Sequence, residues 1–187
     1  MLGLGVVGLI VAGILLALPL AKRAVNDLGL PLQYSSVIRR EAADKRLDPT
    51  LVAAVIYAET KFDPRTSPAG AVGLMQLMPE TATYLAHRSG ATTFTTSDLS
   101  TPQVNIAYGS YYLRYLLDEF HGNTVQALAA YNGGEANVHK WVDAARADGR
   151  SFRISDIPFP ETRDYVARVL SARSEYRQKY ASQLGYD

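Results

Sequence analysis

"DPTLVAAVIYAET", residues 48–60, is the stretch that decides the fold. Asp48 has the chemistry of a helix N-cap, and Pro49 suits a first helical turn. The run from Leu51 to Ala58 is apolar apart from Tyr57. A helix of that composition has no solvated face and must be covered on all sides by other elements. Val52, Val55, Ile56 and Glu59 fall at i, i+3, i+4 and i+7, so a carboxylate stands on the core-facing stripe. Burial disfavours the charged form of such a group, and a carboxylic acid still protonated near neutral pH is a ready general acid.

Working outward, the chain reads as helical almost throughout. "SSVIRREAADKRL" (35–47) is amphipathic behind a Ser cap, and "MPETATYLAHRSG" (78–90) opens with Pro and an acid and stops at Gly90. "DLSTPQVNIAYGSYYLRYLLDEFHG" (98–122) predicts one long helix with Val104, Tyr108, Tyr111, Tyr115 and Leu116 along one side. "NTVQALAAYNGG" (123–134) and "EANVHKWVDAARADG" (135–149) follow as two more. "PETRDYVARVLSARSEYRQKYASQL" (160–184) closes the chain with Tyr165, Val166, Val169 and Leu170 on one stripe. Extended pieces are expected only around Ala69–Leu77 and in "ATTFTTS" (91–97). The fold class is mainly α, with helices packed around the buried one.

The loop after Glu59, "SPAGAVGLMQLMP" (67–79), combines Ser67 and Pro68 for a turn with Gly70 and Gly73, where the backbone can take positive φ or approach a ligand. Gln76 brings an amide that both donates and accepts. Laid beside Glu59, this loop forms one wall of a cleft. Met75 and Met78, taken by themselves, read as packing residues.

Composition excludes several functions. Nineteen basic against 18 acidic residues give a net charge of +1, with no footprint for nucleic acid. Without cysteine there is no disulfide, thiolate nucleophile or cysteine-ligated metal. His87, His121 and His139 form no i, i+4 pair, so no metal is expected. The segment "MLGLGVVGLIVAGILLALPLA", residues 1–21, is uncharged and long enough to span a bilayer. An uncleaved anchor is favoured over a signal peptide, because a small-x-small cleavage site is not clear. Residues 1–22 are thus expected as a transmembrane anchor or signal segment, 23–33 as a linker and 34–187 as the domain. Lys22 and Arg23 after the segment favour a cytoplasmic domain by the positive-inside rule.

Three blocks carry a resemblance to a known family. "AETKFDPRTSPAGAVGLMQLMPETA" (58–82), "ALAAYNGGEANVHKW" (127–141) and "IPFPETRDYVARVL" (157–170) resemble, in order, the conserved blocks of the Slt-type lytic transglycosylases, lysozyme-like enzymes that cleave bacterial peptidoglycan. The resemblance implies a lysozyme-like α+β domain with little or no sheet, preceded by the N-terminal hydrophobic helix. It implies that Glu59 is the single catalytic acid and that Gln76 and Met78 line the sugar site. Tyr131 and Asn132 would face the carboxyl from the opposite wall, and Glu161 and Tyr165 would border the cleft.

The pattern departs in places. The family's serine commonly follows the catalytic Glu by nine residues, whereas Thr66 and Ser67 follow by seven and eight, and either is a candidate for that role. Thr60 stands where the family usually has Ser, and Gly133 follows "YN".

The implied reaction breaks the bond between N-acetylmuramic acid and N-acetylglucosamine and leaves a 1,6-anhydro end, with no cofactor. A second carboxylate, which most glycosidases need, is not evident near Glu59, and the substrate's own acetamido group replaces it. Alternatives are a goose-type lysozyme, a non-catalytic membrane-tethered peptidoglycan-binding protein, or a purely structural helical partner protein. The expected partners are glycan strands and, through residues 1–21, the membrane; the expected state is a monomer. Peptidoglycan lies outside the cytoplasm, so the domain is expected there despite Lys22 and Arg23.

Overall fold

The computed structural model describes residues 30–186. The chain divides into two units, Met1–Pro31 and Leu32–Asp187, and the fold below is that of the second. The expected membrane segment and residues 23–29 of the linker lie outside the described residues. Within these, no helix is long and apolar enough to cross a membrane.

Seven α-helices and one two-stranded antiparallel sheet make up the described fold. In order they are α1 (Ser35–Asp44), α2 (Pro49–Thr60), β1 (Arg65–Thr66), β2 (Val72–Gly73), α3 (Pro79–Ser89), α4 (Pro102–Glu119), α5 (Thr124–Gly133), α6 (Glu135–Ala147) and α7 (Pro160–Lys179). The mainly helical expectation holds. α2 is the central helix: Leu51 to Ile56 are buried without a break, and the helix packs most extensively along α7. Asp48 caps it, accepting from the Thr50 N–H at 2.8 Å. The same carboxylate pairs with Arg173 of α7 at 2.7 Å and accepts from the Tyr186 hydroxyl, which ties the end of the described chain to the start of the core helix.

Three local expectations are corrected. The long helix predicted from Asp98 is broken: a 3-10 turn spans Thr96–Ser100, and α4 starts only at Pro102. Thr101, before that proline, is held extended at φ −81° and ψ 119°, which excludes it from a continuous helix. The buried face of α4 is also different. Asn105, Ile106, Gly109, Leu113 and Leu116 turn inward, while Val104, Tyr108, Tyr111 and Tyr115 are only half-buried. Gly109 explains the choice, because a Cβ there would lie 2.4 Å from Met75 Sδ. A tyrosine face would hold the hairpin away; the glycine lets it close.

The third correction concerns the strands. "ATTFTTS" forms none and leads into the 3-10 turn, which Thr95 and Asp98 close with a capping box. β2 falls inside the expected Ala69–Leu77 region, and its partner is Arg65–Thr66, paired Arg65 to Gly73 and Thr66 to Val72.

Candidate active site

Glu59 lies in the last turn of α2. The helix ends because Lys61 and Phe62 both enter left-handed backbone, at φ 53° and 66°. Arg65 of β1 reaches back and donates to the Glu59 and Thr60 carbonyls at 3.0 and 3.4 Å. A cation there complements the helix C-terminus and fastens the hairpin beside the carboxyl.

The hairpin is fastened at three further points. The Thr60 hydroxyl donates to the Leu74 carbonyl at 2.8 Å. Asn105 of α4, fully buried, accepts from the Met75 N–H at 2.8 Å and donates to the Val72 and Leu99 carbonyls at 2.9 and 3.0 Å. The Tyr131 hydroxyl of α5 donates to the Met75 carbonyl at 2.9 Å. Three helices therefore hold one short loop in one geometry. Tyr131→Phe is expected to leave the Met75 carbonyl without its donor and to lower the unfolding free energy by about 1–2 kcal/mol, read by urea denaturation.

Glu59 is largely buried, and burial raises its pKa from the usual 4.5 to about 7. Tyr165, Arg168 and Arg65 pull the value down, and the like charge of Glu161 pushes it up again. The result is a carboxylic acid that keeps its proton up to neutral pH. Tyr131 and Tyr165 stay protonated because burial and the Glu59 charge raise both well above 10. The Tyr165 hydroxyl is buried and faces Glu59, and its hydrogen-bonding interaction with that carboxyl is the first influence that offsets burial.

Of the residues named from sequence, the structure brings Tyr131, Glu161 and Tyr165 within reach of the Glu59 charge. Asn132 is exposed, accepts from the Thr162 hydroxyl at 2.8 Å, and shares with Phe159 and Glu161 a recess of about 350 Å³. Met78 is 38 % exposed at the mouth of α3. Gln76 sits in the left-handed region at φ 48°, and its amide nitrogen donates to the Arg65 and Gly73 carbonyls, both at 2.8 Å. Both N–H donors are thus spent on the hairpin, and only its carbonyl oxygen remains to meet a ligand.

Thr66 and Ser67 also separate. Thr66 is exposed in β1, whereas the Ser67 hydroxyl accepts from the Ala71 N–H at 3.0 Å and builds the hairpin turn. Asn105 and Arg65 escaped the sequence reading. Asn105 had one visible signal, a poor helix former in the middle of an apolar helical pattern. Among the described residues one group has metal-ligand geometry, Glu119, Glu135 and His139, whose ligand atoms lie within 4.8 Å of one another. His139 Nε2 lies 3.2 Å from Glu119 and 3.8 Å from Glu135.

The buried core helix thus sets one protonated acid beside a pinned glycine hairpin, with the Tyr131 and Tyr165 side chains within reach of its charge. The chain belongs to the Transglycosylase SLT domain family, whose model matches residues 36–152. It is 36 % identical over 151 residues to the soluble lytic murein transglycosylase of Escherichia coli, covering 79 % of this chain and 23 % of that protein. It is 29 % identical over 167 residues to membrane-bound lytic murein transglycosylase C of Actinobacillus pleuropneumoniae, covering 77 % of this chain and 46 % of that one. Among solved structures, an inactive Glu-to-Gln mutant of the lytic transglycosylase Slt from Pseudomonas aeruginosa superposes with a TM-score of 0.74 at 35 % identity, over 82 % of this chain and 25 % of that one. The chain thus spans less than half the length of these relatives.

Proposed function

We propose that this domain is a peptidoglycan lytic transglycosylase, a lyase that cleaves the β-1,4 bond between N-acetylmuramic acid and N-acetylglucosamine. The observation that carries the reading is Glu59, a single acid held protonated to about pH 7 by burial, with Tyr131 and Tyr165 on the walls around it. Glu161 and Asp63 are both exposed, so neither has the enclosed placement of a nucleophile paired with Glu59. The names of the soluble and membrane-bound relatives support the same activity.

In the proposed reaction Glu59 gives its proton to the glycosidic oxygen, and the N-acetylglucosamine side leaves as an alcohol. The acetamido oxygen of the muramic residue bonds to the anomeric carbon as that bond breaks. Glu59, now a carboxylate, takes the proton of the 6-hydroxyl, and O6 displaces the acetamido oxygen to close the anhydro ring. Gln76 presents its carbonyl oxygen to the acetamido N–H. Glu161, Asn132, Met78 and Ser67 line or shape the cleft around the sugars. The acid ends the cycle reprotonated, and no cofactor enters.

The test is the mass of the products from purified peptidoglycan. Each new end is expected to weigh one water less than a reducing end; reducing ends in their place would make the enzyme a hydrolase of the goose-lysozyme kind and overturn the proposal. The substrate places the domain outside the cytoplasm, held at the membrane by residues 1–21 and working as a monomer.

A further inference from the structure

Arg65 joins two residues of the site. Its guanidinium donates through Nη2 to the Glu59 carbonyl at 3.0 Å and through Nη1 to the Thr60 carbonyl at 3.4 Å, at the end of α2 where a helix leaves acceptors over. Its own carbonyl accepts from the Gln76 amide at 2.8 Å. The same amide donates at 2.8 Å to Gly73, the residue that Arg65 pairs with across the hairpin. One residue therefore spans from the acid to the amide that has only its carbonyl oxygen left for a ligand. The planar fork of arginine suits two successive carbonyls, whereas a lysine ammonium is a single point of charge.

The charge of Arg65 acts on the same acid. The charged and titratable groups that reach Glu59 are Arg65 of β1, Tyr131 of α5, and Glu161, Tyr165 and Arg168 of α7. Burial favours the protonated form, and the two cations oppose it. Of these two, Arg65 is the one hydrogen-bonded to the backbone of Glu59, and among the described residues no carboxylate pairs with it. In the proposed reaction Glu59 first gives a proton and then, as a carboxylate, takes one back. Burial serves the first step, and a nearby positive charge serves the second, because an acid and base in one group works best when neither form is strongly preferred.

We propose that Arg65 is a positioning residue for this reaction, which fixes Glu59 against Gln76 and holds the carboxylate stable enough for the second half of the cycle. The inference rests on the reading of Glu59 as the acid and base of a lytic transglycosylase.

The experiment compares the full chain in detergent with Arg65→Gln, Arg65→Met and Arg65→Lys, by two measurements. The first follows the Glu59 carboxyl carbon by NMR across neutral pH without substrate, its signal assigned by its loss in Glu59→Gln. The two neutral variants are expected to move the titration upward by about half a pH unit, a threefold change in the dissociation constant, as befits an exposed charge acting partly through solvent. Arg65→Lys is expected to restore most of that shift. The second measurement is the rate of anhydro-product formation from soluble glycan strands. On the acid side, where Glu59 is protonated in every protein, the neutral variants are expected to lose about tenfold, less than the hundredfold that a full misplacement costs. Arg65→Lys is expected to recover part of the rate, and the alkaline fall of the rate to follow the shifted titration. A titration that coincides with wild type in the neutral variants, or that Arg65→Lys moves just as far, overturns the proposal, as does an acid-side rate within about twofold of wild type. A structural role alone would lower the rate and leave the titration in place. The carboxyl titration needs no cleavage, so a wild-type chain that forms no anhydro product sinks the lytic reading while Arg65 is still tested on Glu59.

Discussion

Glu59→Gln is expected to abolish glycan cleavage and, in the same protein, to make the domain harder to unfold above neutral pH. The amide keeps the shape of the side chain but has no acidic proton to give. General acid catalysis is typically worth factors of 10² to 10⁴, so a loss of about a thousandfold or more is expected. In the native enzyme the rate should be flat on the acid side and fall as pH rises through about 7, where Glu59 loses its proton. A variant that keeps most of its rate removes Glu59 from the mechanism.

The stability effect follows from the same burial. In the unfolded chain the carboxyl titrates near 4.5, in the folded domain near 7. Below pH 4.5 both states hold the proton and the group is neutral to stability. Between 4.5 and 7 the folded state holds more protons than the unfolded one, so stability falls as pH rises, and above 7 the loss is complete. The shift is equivalent to about 2–3 kcal/mol at pH 8, after allowance for partial contact with solvent. Glutamine titrates nowhere in this range. Urea denaturation of both proteins at pH 4 and pH 8 should show a gap in favour of the variant at pH 8 that closes at pH 4. A gap independent of pH would mean that burial does not raise this acid. The trade of stability for a protonated acid is one that catalytic sites make repeatedly.

That pairing was half legible in the sequence. The spacing Val52, Val55, Ile56, Glu59 places the acid on the core face, and the buried α2 bears this out. Pattern failed where small residues decide. Along α4 the tyrosines look like the packing stripe, because they are large and spaced for a helix. The face that turns inward carries Gly109 and Asn105, which let the hairpin come close to the helix. Hydrophobicity does not announce such a face, since what it contributes is space and hydrogen bonds. The strand pair was hidden for a related reason: two residues on each side are too few for alternation to show. Gln76 was recognised as a site residue, but the local sequence did not reveal that its own left-handed backbone is held by both of its amide donors.

Asn105→Ala is expected to cost about 3–5 kcal/mol and to loosen the hairpin that faces Glu59. The substitution leaves two backbone groups without partners, the Met75 N–H and the Leu99 carbonyl, and takes from the Val72 carbonyl one of two hydrogen bonds, the other coming from the Leu77 N–H at 3.1 Å. Each orphaned group costs about 1–3 kcal/mol, and water entering the new cavity recovers part of that. The sum approaches the whole stability of an ordinary domain, about 5–15 kcal/mol. The side chain is also coupled to Gly73. A Cβ at Gly73 would meet Asn105 Nδ2 at 2.2 Å and the Leu99 carbonyl oxygen at 2.7 Å, on backbone at φ +80°. Gly73→Ala alone therefore drives a methyl into the asparagine and breaks the same three hydrogen bonds. Once Asn105 is alanine, those bonds are already gone, and only the backbone strain and the Leu99 contact remain to be charged to Gly73. A double-mutant cycle in urea should find the pair less damaging than the sum of the single changes by about 1–3 kcal/mol. Strict additivity would mean that Gly73 and Asn105 stabilise the hairpin independently.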